Sequence, residues 1–142
     1  MKTEIATKLA FRCDSSSHRD HEYMVVGGIA FKTNRYHEIA VAIRQIKEVS
    51  DLKSEMKWSK FRGGYRGIAY FALVDLFFQL ISEGKIHFHC IVAKFGEFSH
   101  KSFGGSGPES SVNKLYFQLL VHKICKQYAK DCYIYVYPDR GG

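Results

Sequence analysis

The sequence predicts a mixed α/β fold, a mixed β-sheet with helices packed on its faces. Three observations predict it. Runs rich in β-branched and aromatic residues alternate along the chain with segments whose apolar residues recur at helical spacing. Of 142 residues, 46% are apolar, enough to build one core and too many for a disordered polymer. The order is two strands, then helix, helix, strand, helix and strand, which layers helices on a sheet.

Each element has its own signal. Lys8 to Cys13 reads as a first strand, followed by the polar turn Asp14-Ser15-Ser16-Ser17-His18-Arg19-Asp20-His21. Tyr23 to Phe31 is a second strand, forming a hairpin with the first. Its Gly27-Gly28 pair marks a bulge or a close backbone approach. Asn34 is the predicted N-cap of a helix over 35–49, with Ile39, Ala42, Ile43, Ile46 and Val49 facing the core. Glu55-Met56-Lys57-Trp58 reads as a short strand or extended connector, with Trp58 turned toward the core. Gly63-Gly64 breaks the chain before a helix over 65–83, which Gly84 caps. The apolar stretch Ile68 to Ile81 within it carries Asp75 and is too short to span a bilayer, so it reads as a core helix with no membrane role. Lys85 to Phe95 is a third strand and Gly96 to Gly107 a glycine- and serine-rich loop carrying Lys101. Pro108 opens a helix to about Lys130 that buries Val112, Leu115, Tyr116, Leu119, Ile124 and Tyr128. Cys132 to Tyr137 is the last strand and delivers Pro138-Asp139-Arg140. No repeat or linker interrupts the order.

Charge and cysteines bound the function. A net charge of +7 from scattered Lys and Arg suits a folded surface that meets polyanions, and equally suits a basic domain with no nucleic-acid role. Cys13, Cys90, Cys125 and Cys132 form no C-x-x-C pair, and Cys13, Cys90 and Cys132 sit in apolar runs as small buried groups. With no secretory signal at Met1-Lys2-Thr3-Glu4, a reducing, cytoplasmic setting is expected. Zinc fits poorly: Cys13, His18 and His21 have no second ligand pair at finger spacing. No G-x-S-x-G elbow is present, and Gly104-Gly105-Ser106-Gly107 lacks the Lys-Ser/Thr ending of a phosphate loop.

Three acidic residues stand beside strand-like runs: Asp14, Glu55 and Asp139. Carboxylates gathered at strand ends repel one another unless cations sit between them, and hard oxygen ligands suit Mg²⁺ or Mn²⁺. Asp14 and Asp139 both close strands at their C-terminal ends, where polar site residues of such sheets collect. If those strands run parallel and close together, the two side chains meet. Lys57, two residues from Glu55, would point to the same side of an extended segment.

Taken together, these motifs resemble the microbial domain-of-unknown-function family number 3800, which is ribonuclease H-like. The carriers are Asp14-Ser15-Ser16-Ser17, Val25-Val26-Gly27-Gly28-Ile29, Glu55-Met56-Lys57-Trp58-Ser59-Lys60 and Tyr135-Val136-Tyr137-Pro138-Asp139-Arg140, in family order over almost the whole chain. The resemblance implies a ribonuclease H-like domain over residues 1–142 and a metal-dependent nuclease acting on RNA or DNA. It implies Asp14, Glu55 and Asp139 as catalytic metal ligands for Mg²⁺ or Mn²⁺. Lys57, with Lys60, Lys114 and Arg140, would contact nucleic acid. Two departures stand out. Ser15 replaces the family's usual Glu, and the family normally continues past this last strand to a further acidic residue, so the expectation is a fragment, a naturally C-terminally truncated copy or a decayed one. The alternative is a non-catalytic nucleic-acid-binding or protein-interaction module that kept the fold. Oligomeric state is not legible in the sequence.

Overall fold

The computed structural model describes residues 7–16, 21–94, 108–128 and 132–139. The chain is mixed α/β, with a four-stranded mixed sheet and helices, and it divides into two compact units. The loop Gly96 to Gly107, His18 and Arg140 lie outside the described residues.

The first unit runs to Phe31 and resumes at His87. It holds β1 (Thr7–Ser16), β2 (Tyr23–Lys32), β3 (His87–Lys94) and β4 (Cys132–Pro138), in sheet order β3-β2-β1-β4. β2 and β3 pair antiparallel, and β1 and β4 pair parallel. Two-residue periodicity sends Phe11 and Cys13 of β1 and Met24, Val26 and Ala30 of β2 into one core. The helix α3 (Pro108–Phe117), beginning at the expected proline, covers that face with Val112 and Leu115. It continues as a π-helical segment (Gln118–Ile124) and then α4 (Cys125–Tyr128). Sequence periodicity expects a regular α-helix here. Leu119 and Ile124, five residues apart, are both buried, and wider i→i+5 winding brings such a pair to one side where α-winding separates them.

The glycine pair of β2 gives the close approach expected of it. A Cβ on Gly28 would strike the Arg12 carbonyl oxygen and lie 2.7 Å from Cys13 Cα, and one on Gly27 would lie 2.6 Å from Cys90 Cβ. Cys13 is buried as expected, but Cys90 is exposed, because β3 turns His89 and Ile91 toward the core side and Cys90 to the other face.

The second unit, Lys32–Ile86, contains α1 (Tyr36–Val49) and α2 (Gly64–Ser82), which pack on each other. Asn34 is not the N-cap: a 3₁₀ turn over Thr33–Arg35 leads into α1, Arg35 takes the cap position, and no side chain bonds the free amides. Ile39 is buried, but Val49 is 78% exposed at the fraying last turn. That turn closes with the Leu52 N–H donating to the Lys47 carbonyl at 2.8 Å, while Asp51 adopts φ 48° in the left-handed region. Gly84, at φ 69°, does the same for α2, with the Lys85 N–H donating to the Leu80 carbonyl at 2.9 Å.

The expected core helix is corrected in its burial. α2 has the expected length of 19 residues, but it buries only Gly67, Ala69, Tyr70 and Leu80 while Ile68, Phe71 and Phe78 remain exposed. By length and composition it is the one described helix that meets the criterion for a membrane span. With Arg66 and Asp75 inside it, it is a weak candidate. Trp58 is also corrected. The segment does not form a strand but turns into a 3₁₀ helix over Trp58–Lys60, leaving the indole 71% exposed and stacked on Phe61 at 5.2 Å.

Candidate functional site

The site is built by the parallel pairing of β1 and β4. Their register runs from Thr7↔Cys132 to Cys13↔Pro138, and the Asp139 N–H donates to the Cys13 carbonyl at 2.8 Å, extending the ladder one step. The next residues in register are Asp14 and Asp139. Side chains alternate along each strand, so both follow Arg12 and Tyr137 to the face opposite Phe11 and Cys13. Neighbouring strands lie about 4.8 Å apart, so the two residues stand on adjacent chain segments at one end of the sheet. Both residues are exposed. They line an open depression of about 730 Å³ together with Arg12, Gly28, Ile29 and Tyr137. Gly28 keeps a side chain off the β1 backbone at this point.

The surrounding groups are polar and specific. Asp14 Oδ1 accepts the N–H of the next residue, Ser15, at 2.7 Å, two residues before β1 ends. The Arg12 guanidinium stands 5.2 Å above the Tyr137 ring, a cation–π contact on the wall of the depression. Burial pushes the Cys13 thiol up, and the Asp14 charge adds to that.

Tyr116 joins the site unforeseen. Helical spacing assigned it to the core of α3, and its ring does pack there, half-buried. Its hydroxyl, however, shares a hydrogen bond with the Ser15 side chain and feels the charges of Asp14 and Asp139. Burial first, and then those charges, hold the phenol above its ordinary range against the opposing effect of Ser15. It therefore stays protonated, with its hydroxyl at the Ser15 side chain on the core face of the sheet. The only sequence signal was the polar tip of an otherwise apolar residue.

The other expected residues are placed differently. Glu55 belongs to the second unit, on the connector after α1, where it is exposed and pairs with Lys57 Nζ at 3.3 Å. The two do point to one side as expected, since Lys57 is extended, but Lys57 has a carboxylate partner there. Lys60 ends the 3₁₀ turn of the same unit and is exposed. Lys114 lies on α3 in the first unit, half-buried. Thus the structure brings Asp14 and Asp139 to one end of the β1–β4 pair with Arg12 on their face, and leaves Ser15 and Tyr116 on the core face beneath. Among the described residues, no three His, Cys, Asp or Glu side chains form a group able to hold a metal ion.

A pair of adjacent, water-accessible carboxylates still fits Mg²⁺. That ion dehydrates reluctantly, keeps several waters, and is commonly bound through one or two carboxylates plus substrate phosphate oxygens. No family model, curated protein or solved structure matches the chain.

Proposed function

We propose that this chain is a ribonuclease H-like, metal-dependent nuclease of the family it resembles, hydrolysing phosphodiester bonds of RNA or DNA. The observation that carries the reading is the parallel β1–β4 register, which sets Asp14 beside Asp139 at the strand ends. Asp14 and Asp139 would hold Mg²⁺ or Mn²⁺. When bound, such ions lower the pKa of attacking water and stabilise the leaving oxygen. The chain's own residues do the rest. Ser15 orients Asp14 through its N–H. The net charge of +7 draws the polyanion in.

Incubation of end-labelled RNA, DNA and RNA–DNA hybrid with Mg²⁺ or Mn²⁺ tests this directly. Cleavage is expected for wild type, with Asp14→Asn and Asp139→Asn falling to background. No cleavage by wild type, or cleavage at the wild-type rate by both variants, overturns the reading.

One observation favours a second reading, a binding module without turnover: no carboxylate trio is assembled among the described residues. That reading expects affinity that falls steeply with salt and no product in any metal.

A further inference from the structure

We propose that the outer face of β4 is a stacking track for single-stranded nucleic acid. Tyr133, Tyr135 and Tyr137 carry the bases, and Lys8 and Arg12 contact the phosphates. The proposal rests on the nuclease reading for where the track leads, to Asp14 and Asp139, but not for the binding itself.

Three features of β4 carry it. First, Tyr133, Tyr135 and Tyr137 occupy alternate positions and so share one face, while Ile134 between them packs on the core. Their exposures are 62%, 43% and 46%. Three large rings in a row in water are informative where a single exposed aromatic is not. Second, the parallel register sets Lys8 beside Tyr133 and Arg12 beside Tyr137, with the small Ala10 beside Tyr135. Cations alternate with the rings across the strand pair, the combination that single-strand grooves use: charge for the backbone, π-faces for the bases. The Arg12–Tyr137 contact at 5.2 Å already shows one ring in its cation-facing pose. Third, the track has a direction. The pair after Cys13↔Pro138 is Asp14 and Asp139, so a strand passing from Tyr133 to Tyr137 arrives at the carboxylates.

Spacing selects a single strand. Alternate residues on a β-strand stand about 6.6 Å apart, twice the rise per residue. Bases along one strand of a duplex are only about 3.4 Å apart. The rings therefore match bases pulled out of their stack, one to each tyrosine, and a duplex has no such faces to offer. Tyrosine at all three positions reads no particular base, so sequence preference is weak.

The test is fluorescence anisotropy with a fluorescein-labelled oligo(dT) and an oligo(U), in EDTA so that no cleavage occurs. Wild type is expected to bind both, and to bind a duplex of the same length far more weakly. The doubly substituted Tyr133→Ser/Tyr135→Ser chain loses about 30-fold in affinity, roughly fivefold for each lost ring. Tyr133→Phe/Tyr135→Phe keeps the rings and stays within about twofold. Lys8→Gln lowers the slope of log affinity against log salt by roughly one. The Asp14→Asn/Asp139→Asn chain binds at least as tightly as wild type, so failure of the nuclease reading leaves this result intact. Three outcomes overturn the track: equal affinity for duplex and single strand, equal losses in the Phe and Ser variants, or no oligonucleotide binding. Absent binding with self-association that the Ser variant abolishes would assign the face to a second copy of the chain.

Discussion

Substitution of Gly28 by alanine tests the backbone contact beneath the carboxylate pair. The added methyl would fall on the Arg12 carbonyl oxygen, 2.7 Å from Cys13 Cα and 2.8 Å from the Arg12 carbonyl carbon. All three are backbone atoms of the adjacent strand, so no rotamer change relieves the clash. The strands must separate. Overpacking a tight site costs about 1–3 kcal/mol, and a backbone-on-backbone clash belongs at the upper end. About 3 kcal/mol is a large part of the roughly 5–15 kcal/mol that holds a domain together. At about 4 °C per kcal/mol for a chain of this size, the melting temperature should fall by ~10 °C. Far-ultraviolet circular dichroism against temperature reads it. Gly63→Ala is the comparison: its Cβ meets nothing within 4 Å, but φ 70° and ψ −158° form a backbone state that alanine avoids, so a smaller loss is expected. If Gly28→Ala melts within about 2 °C of wild type, the close approach of β1 and β2 is wrong.

Three further outcomes are expected. Native titration with a thiol-specific chromophore should label the exposed Cys90 and Cys125 first and Cys13 last, since burial and then Asp14 raise its thiol; rapid labelling of Cys13 contradicts its burial. His89 accepts or donates a 2.6 Å hydrogen bond with the Tyr128 hydroxyl, and burial first, then His87, holds its imidazole below the ordinary range. The unfolded chain thus binds a proton that the folded one resists. This contribution to stability is complete above about pH 6.5, the unfolded value, and is lost as pH falls from there through the lowered folded value, so the urea midpoint should drop less on acidification in His89→Gln than in wild type. An identical drop in both removes His89 from the account. Trp58, the single tryptophan, should emit as a water-exposed indole and be quenched readily by acrylamide, and blue-shifted, protected emission would mean that the indole is covered.

The elements of the sheet were legible because their signals are local. Tyr23 to Phe31 is dense in strand formers, and its paired glycines announce a close approach that the Arg12 and Cys13 backbone supplies. Asp14 and Asp139 were legible as strand-end residues, but their adjacency depends on β1 choosing β4 as a parallel neighbour, a choice between distant segments that no local pattern encodes. α2 misled for a physical reason: Ile68, Phe71, Val74 and Phe78 surround it with apolar groups, so periodicity cannot say which face is covered. Asn34 had the chemistry of a cap, but a 3₁₀ turn placed it one residue too early. Tyr116 shows the reverse failure, since apolar spacing accounts for its ring and says nothing of its hydroxyl.

Pairing Thr7–Cys13 with Cys132–Pro138 has a temporal consequence for a chain made from one end. The strand that completes the sheet is synthesised more than a hundred residues after its partner, so β1 must wait with one flank open. Closing so long a loop is entropically costly and slow. The contiguous stretch Lys32–Ile86 has no such dependence and can acquire its own contacts while the ribosome is still at work. Nascent chains halted before residue 132 should therefore engage chaperones through the apolar rim of β1, and release them once the tyrosine-rich strand has been added.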